Sequence, residues 1–269
     1  MKIAVSGKGG VGKTTLVALL AQEFANSGYD VLAVDGDSSP CLALTLGFPE
    51  GLRERITPIV EMRDLIEERT GAKPGTTGAY FTLNPKVDDI PERFSAEWQG
   101  VRLLELGTIE QGGAGCICPE STLLKSLLTH LLLRPEGVLL LDMYAGVEHL
   151  GRAAIDFVDM LLIVVEPTNR SLETAERIRI LAQDIGIRKF GLVGNKIRDN
   201  TDLSFIKKAL PKIPLMGYLP FSELVQSADR ERISVYDHVP ILRRSSEEIF
   251  SYLIAYLDHQ LATHEENNT

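Results

Sequence analysis

Short apolar runs, each five or six residues long, alternate along this chain with longer stretches whose apolar positions recur at helical spacing. The short runs are Lys2–Ser6, Asp30–Asp35, Val101–Leu106, Val138–Asp142, Leu161–Glu166, Phe190–Asn195 and Pro214–Leu219. They are bounded by Gly, Asp or Pro and are apolar at odd and even positions alike, so both faces of each strand need covering. A parallel sheet flanked by helices on both sides meets that need. The helical stretches are Lys13–Ser27, Glu120–Leu133, Ser171–Ile185, Thr201–Leu210 and about Arg243–His264. This rhythm predicts an α/β fold, a doubly wound and mostly parallel sheet. One domain spanning 1–269 is expected. The rhythm breaks at Leu52–Trp98, where Ile59–Thr70 has a helical pattern while Gly71–Gly78 and Asn84–Glu92 have loop composition. That segment is expected to be an irregular insertion at about 52–98, and His264–Thr269 a frayed tail.

Composition narrows the function classes. The 269 residues are 44% hydrophobic and 24% charged, the balance of an ordinary globular protein. A formal net charge of −9 and the lack of any Lys/Arg run argue against binding to nucleic acid or to an anionic membrane surface. No apolar run approaches the roughly 20 residues of a membrane span. The N-terminus enters a strand directly, so no signal peptide is expected and a cytoplasmic location is. Three cysteines are too few for a disulfide scaffold, and cysteines close in sequence then point to metal or redox chemistry.

The segment Gly7-Lys8-Gly9-Gly10-Val11-Gly12-Lys13-Thr14 satisfies the phosphate-loop pattern G-x-x-x-x-G-K-[ST], with a strand before it and a helix after it. Its glycines let backbone N–H groups turn toward an anion, and the helix N-terminus adds positive partial charge. Gly9, Gly10, Val11 and Gly12 are expected to cradle ATP or ADP. Lys13 is expected to reach the β- and γ-phosphates, Thr14 to ligate Mg²⁺, and Thr15 to bond the α-phosphate. The second lysine, Lys8, makes the loop resemble the deviant Walker A of the MinD/ParA/NifH superfamily. The resemblance implies an ATP-sandwich homodimer in which Lys8 reaches the partner's nucleotide and acts with Lys13 in catalysis.

Two apolar strands end in acids. Carboxylates there face the phosphate loop and can support Mg²⁺ or orient a water. Asp35 and Asp142 are expected in the magnesium shell, and the superfamily likeness implies that Asp37 positions the attacking water. Gly146, in the loop after Asp142, would let that loop follow the γ-phosphate, and His149 reads as a packing histidine. Asn195 offers a donor and an acceptor to an adenine edge. The superfamily likeness places the base near Asn195, Leu219 and Pro220. A guanine-reading N-K-x-D is missing, because Asp199 falls one residue late, so ATP is favoured over GTP.

Cys116 and Cys118 form a C-x-C loop between a strand and a helix. Two thiolates supply half of a four-coordinate shell, and a twofold dimer would complete it. Packing cysteines or a redox pair are the plainer readings of C-x-C alone. Context changes this. Lys8–Thr15, Val34-Asp35-Gly36-Asp37, Cys41-Leu42, Ile56-Thr57-Pro58 and Asn84-Pro85-Lys86-Val87-Asp88 are similar to the CooC-type nickel-insertion ATPases of carbon monoxide dehydrogenase maturation. So are Gly115-Cys116-Ile117-Cys118-Pro119-Glu120, Ala145-Gly146-Val147-Glu148-His149-Leu150, Val164-Val165-Glu166-Pro167 and Val193-Gly194-Asn195-Lys196. The likeness covers roughly residues 1–200. It implies Ni²⁺ at Cys116 and Cys118, with Zn²⁺ possible at the same thiolates. It also implies an ATP- or metal-dependent homodimer and a nickel-enzyme client such as carbon monoxide dehydrogenase. Cys41 is expected to be a small buried hydrophobe.

Two other classes share the phosphate loop. A partition or positioning ATPase would need a basic surface or a basic amphipathic tail, whereas Leu253–Thr269 carries acids and no Lys or Arg. An iron–sulfur reductase would need two well-separated cysteines, which C-x-C does not supply.

Overall fold

The structure is a computed structural model describing residues 1–75, 80–107, 118–143 and 158–266, with side chains as far as 258. Its strands are β1 (Lys2–Gly7), β2 (Val31–Asp35), β3 (Ala96–Trp98), β4 (Val101–Glu105), β5 (Val138–Asp142), β6 (Met160–Val165), β7 (Phe190–Ile197) and β8 (Leu215–Pro220). They form one sheet in the order β3-β4-β2-β5-β1-β6-β7-β8. Every pairing is parallel except β3 with β4.

The period of two in each strand divides its side chains between two cores. On one face lie Ala4, Leu32, Val34, Leu139, Leu141, Leu161 and Ile163. Their sequence neighbours Ile3, Val5, Val31, Ala33, Val138, Leu140 and Leu162 lie on the other. Helix α1 (Lys13–Asn26) covers the second face together with the long final helix. There Phe24 meets Phe250 edge-to-face with centroids 5.0 Å apart, and the Ser246 hydroxyl donates to Glu23 at 2.6 Å.

Segment 52–98 is more structured than its composition predicts. It holds α4 (Arg63–Thr70), α5 (Ile90–Phe94) and the edge strand β3; two short helices, α2 (Leu42–Thr45) and α3 (Glu50–Arg53), lead into it. Ile59, Ile66 and Ile90 are fully buried in the first core, so the segment seals one face of the sheet rather than hanging from it. Asn84–Glu92, expected as loop, begins a helix at Ile90, where Pro91 sits in the first turn and needs no donor. Strand β3 is three residues long, too short to show a period.

Further along, α6 (Pro119–Leu133), α7 (Asn169–Asp184) and α8 (Asn200–Ala209) match the expected helices. Helices α9 (Leu224–Glu231) and α10 (Val235–His238) add to the expected set, and α11 (Pro240–Glu266) starts earlier than the pattern suggests. Among the described residues, no helix is long and apolar enough to cross a membrane. Strand β1 lies mid-sheet, with β5 on one side and β6 on the other. The loop that follows it therefore opens at the carboxyl edge, where the chain reverses its direction of winding and ligands bind.

Candidate functional site

The phosphate loop spans the end of β1 and the start of α1. Gly12, the N-cap of α1, has φ 100°, and a Cβ there would overlap the Asn195 amide. Only glycine fits a position that is both left-handed and crowded. Asn195 Nδ2 donates to the Val11 carbonyl at 2.7 Å, and its Oδ1 accepts from the Lys196 N–H at 2.8 Å. The end of β7 is thereby tied to the loop. Asn195 is buried, and in this structure its amide holds the loop's backbone. Leu219 is wholly buried, while Pro220 is half-buried. Lys13 is 7% exposed, tucked at the first turn of α1, and Thr15 follows in the same turn.

Three carboxylates stand side by side at the carboxyl ends of β5, β2 and β4, because Asp35 is in register with both Asp142 and Glu105. The Thr14 hydroxyl donates to Asp142 Oδ2 at 2.5 Å. Burial pushes the Asp142 carboxyl up to about 7, with the Asp35 charge adding to burial and the Thr14 hydrogen bond opposing it. Asp35 is completely buried. Its Oδ1 accepts from the Asp37 N–H at 3.0 Å, and its Oδ2 from the N–H groups of Cys41 and Leu42 at 2.9 Å each. Burial raises its pKa too, against those backbone bonds. What Asp35 does here is pin the turn 36–42, which carries Asp37. Asp37 itself is half-buried and accepts from Ser38 Oγ and Ser39 N–H, leaving its carboxylate at the rim of the site.

Cys41 departs from expectation. It is exposed, and its thiol donates to Thr14 Oγ1 at 3.7 Å. The backbone bond from Cys41 to Asp35 holds it at the site's edge instead of in the core. Glu105 and Glu166 were given no role from the sequence. Burial lifts Glu105 to about 7, with Asp35 and Glu61 adding to it. Glu166 lies 3.9 Å from the Lys8 ammonium and 3.2 Å from that of Lys196. The available signal was the one used for Asp35 and Asp142, an acid closing an apolar strand.

Cys116 lies outside the described residues, as do Gly146, Glu148 and His149. Cys118 is described. It is a half-buried free thiol at the N-cap of α6, and its N–H donates to Ser121 Oγ at 3.2 Å. Glu120, in the first turn of α6, accepts from the Gly75 N–H at 2.6 Å and ties segment 52–98 to the helix that begins beside Cys118. Among the described residues, no group of three His, Cys, Asp or Glu could hold a metal ion.

The family model of the CobQ/CobB/MinD/ParA nucleotide binding domain matches residues 2–235. The carbon monoxide dehydrogenase accessory protein CooC of Rhodospirillum rubrum is 43% identical over 94% of this chain and 96% of its own length. An uncharacterized ATP-binding protein of Methanocaldococcus jannaschii is 44% identical over 94% of this chain and 98% of its own. Among solved structures, the MinD cell division protein of Aquifex aeolicus superposes with a TM-score of 0.66. It covers 94% of this chain and 96% of that one at 20% identity, a likeness of fold.

Proposed function

The chain belongs to the CobQ/CobB/MinD/ParA nucleotide-binding family, and from that premise we propose that it is a magnesium-dependent ATPase acting as a nickel chaperone. In this reading it is a single-domain homodimer that binds nickel at Cys116 and Cys118. ATP hydrolysis then supports delivery of the metal to a nickel enzyme of the carbon monoxide dehydrogenase kind. The observation that carries the reading is the 43% identity with CooC along nearly the full length of both chains.

The donor set fits magnesium, since the Thr14 hydroxyl and the Asp142 carboxylate are already in contact at the phosphate loop. Thr14 would ligate the cation, with Asp142 and Asp35 supporting it from the outer shell, and the cation would neutralise charge on the phosphate oxygens. The chain's own groups do the rest. The loop N–H groups of residues 9–12, with Thr15, orient the phosphates, and Lys13 meets the β- and γ-oxygens. Asp37 turns the attacking water. Lys8 brings a positive charge to the partner's nucleotide. Asn195 and the backbone at Leu219 and Pro220 border the base.

Two thiolates per protomer make four per dimer, a full shell for nickel, or for zinc competing at the same sulfurs. ATP-driven closure changes how the two C-x-C loops meet, and hydrolysis resets them. That couples nucleotide and metal sites through one two-state element. The MinD protein of Aquifex aeolicus shares the fold, yet at 20% identity against 43% for CooC.

Reconstitution tests the proposal. The purified protein is mixed with ATP, Ni²⁺ and nickel-free carbon monoxide dehydrogenase. Activation that requires ATP and is lost in Cys116→Ser supports it. Activation indifferent to both overturns it.

A further inference from the structure

Glu166 follows β6, one strand from the phosphate loop, and its carboxylate faces two lysines that differ in how firmly they are held. Lys196 is fixed. Its ammonium donates to Glu166 Oε2 at 3.2 Å and to the Gly10 carbonyl at 2.9 Å. Its backbone has φ 57°, a left-handed value that a residue with a side chain keeps only where its surroundings dictate it. The Asn195 amide supplies that constraint, bonding the Lys196 N–H on one side and the Val11 carbonyl on the other. Glu166 is equally anchored, since its N–H donates to Ser171 Oγ at 3.1 Å and its carbonyl accepts from the Thr168 N–H at 2.7 Å.

Lys8 is the looser partner. Its ammonium stands 3.9 Å from Glu166 Oε1, an ion-pair distance beyond hydrogen bonding, whereas that of Lys196 lies 3.2 Å from the same carboxylate. One carboxylate cannot neutralise two ammonium groups, so the more weakly held cation is the one able to leave. A nucleotide triphosphate carries more negative charge than a carboxylate and out-competes it for that cation.

We propose that Glu166 is a positioning residue that parks Lys8 on its own subunit until the phosphates of a partner's nucleotide draw it away. The inference rests on reading Lys8 as a lysine donated across a dimer interface. On that basis each closing dimer breaks one Lys8–Glu166 pair per protomer. Glu166 therefore sets how readily the ATP-bound dimer forms.

The test is Glu166→Gln, which keeps an acceptor for Lys196 and removes the charge that holds Lys8. ATP-dependent dimerisation is followed by analytical ultracentrifugation with Mg²⁺ and a non-hydrolysable ATP analogue, beside steady-state hydrolysis. A partly exposed pair is weak, so the dimer dissociation constant is expected to fall about ten-fold at low salt, two pairs having been released. The protein concentration giving half-maximal hydrolysis falls by a similar factor, while kcat at saturating protein changes by less than about two-fold. The gain shrinks toward zero in about 0.5 M NaCl, as screening removes the pair in the parent protein. Glu166→Asp retains the charge one methylene further back and gives a smaller shift in the same direction, which keeps the test open if the Gln variant folds poorly.

A dimer unchanged or weakened by both substitutions, or a gain of equal size at both salt concentrations, overturns the role of Glu166. A parent protein that does not dimerise with the analogue, together with a Lys8→Ala variant that hydrolyses ATP at the parent rate, overturns the trans-lysine reading and the proposal with it.

Discussion

The Thr14 hydroxyl donates to the Asp142 carboxylate across 2.5 Å, joining the first turn of α1 to the end of β5. These are two of the three side chains assigned to magnesium, Asp35 being the third, and the fold itself brings them into contact. Backbone geometry on both sides fixes them, through the strand register that seats Asp142 beside Asp35 and through Gly12, whose left-handed backbone starts the helix. The site is therefore pre-organised, and its chemistry responds to small changes in that pair.

Asp142→Asn keeps the shape and removes the charge. It should weaken magnesium-dependent nucleotide binding by about 10- to 100-fold, the usual cost of losing an outer partner of a metal site. Calorimetric titration with ADP in the presence and absence of Mg²⁺ checks this. Affinity without the metal should change little by comparison.

Gly12→Ala should abolish nucleotide binding. The added methyl overlaps the Asn195 amide, and a left-handed backbone costs a residue with a side chain about 1–2 kcal/mol before any displacement. A binding isotherm with a fluorescent ATP analogue should be flat, with the midpoint of thermal unfolding also lowered.

Glu105 gives a pH signature separable from hydrolysis. Its carboxyl is raised from 4.5 to about 7 by burial and by the charges of Asp35 and Glu61. The folded protein thus keeps a proton that the unfolded chain releases. The stability this group contributes is present below about pH 4.5 and is lost as the pH rises through about 7. Glu105→Gln should accordingly match the parent protein near pH 5 and exceed its stability by roughly 1–3 kcal/mol near pH 8. Chemical denaturation at the two pH values reads this directly.

Cys41 stands at the phosphate loop, where its thiol meets Thr14. Nickel is assigned to Cys116 and Cys118, so Cys41→Ala should leave nickel stoichiometry as it is in the parent protein. Equilibrium dialysis under anaerobic conditions measures it, and a halved stoichiometry would bring Cys41 into the metal site.

The sheet was legible because each central strand is apolar on both faces, as strands of a helix-covered parallel sheet must be, and β1, β2, β4 and β5 close in Gly, Asp or Glu. The phosphate loop was legible because its glycines and lysine have fixed spacing. Segment 52–98 was legible only in part. Helix α4 falls within the helical pattern at Ile59–Thr70, whereas α5 and β3 are too short to show a period. The buried Ile59, Ile66 and Ile90 join a core built largely from distant parts of the chain. Cys41 was misjudged because its residue type favours burial, whereas backbone bonds to Asp35 decide where it sits. Glu166 showed the same strand-end acid pattern as Asp142, but its significance depends on where the Lys8 and Lys196 ammonium groups reach. No sequence period encodes that.

The central claim is that two protomers share one nickel ion through Cys116 and Cys118. Anaerobic native mass spectrometry of the metal-free protein titrated with Ni²⁺ tests it most directly. The predicted result is one metal per dimer and its loss in Cys116→Ser. Metal bound to the monomer, or binding that survives that substitution, would contradict it.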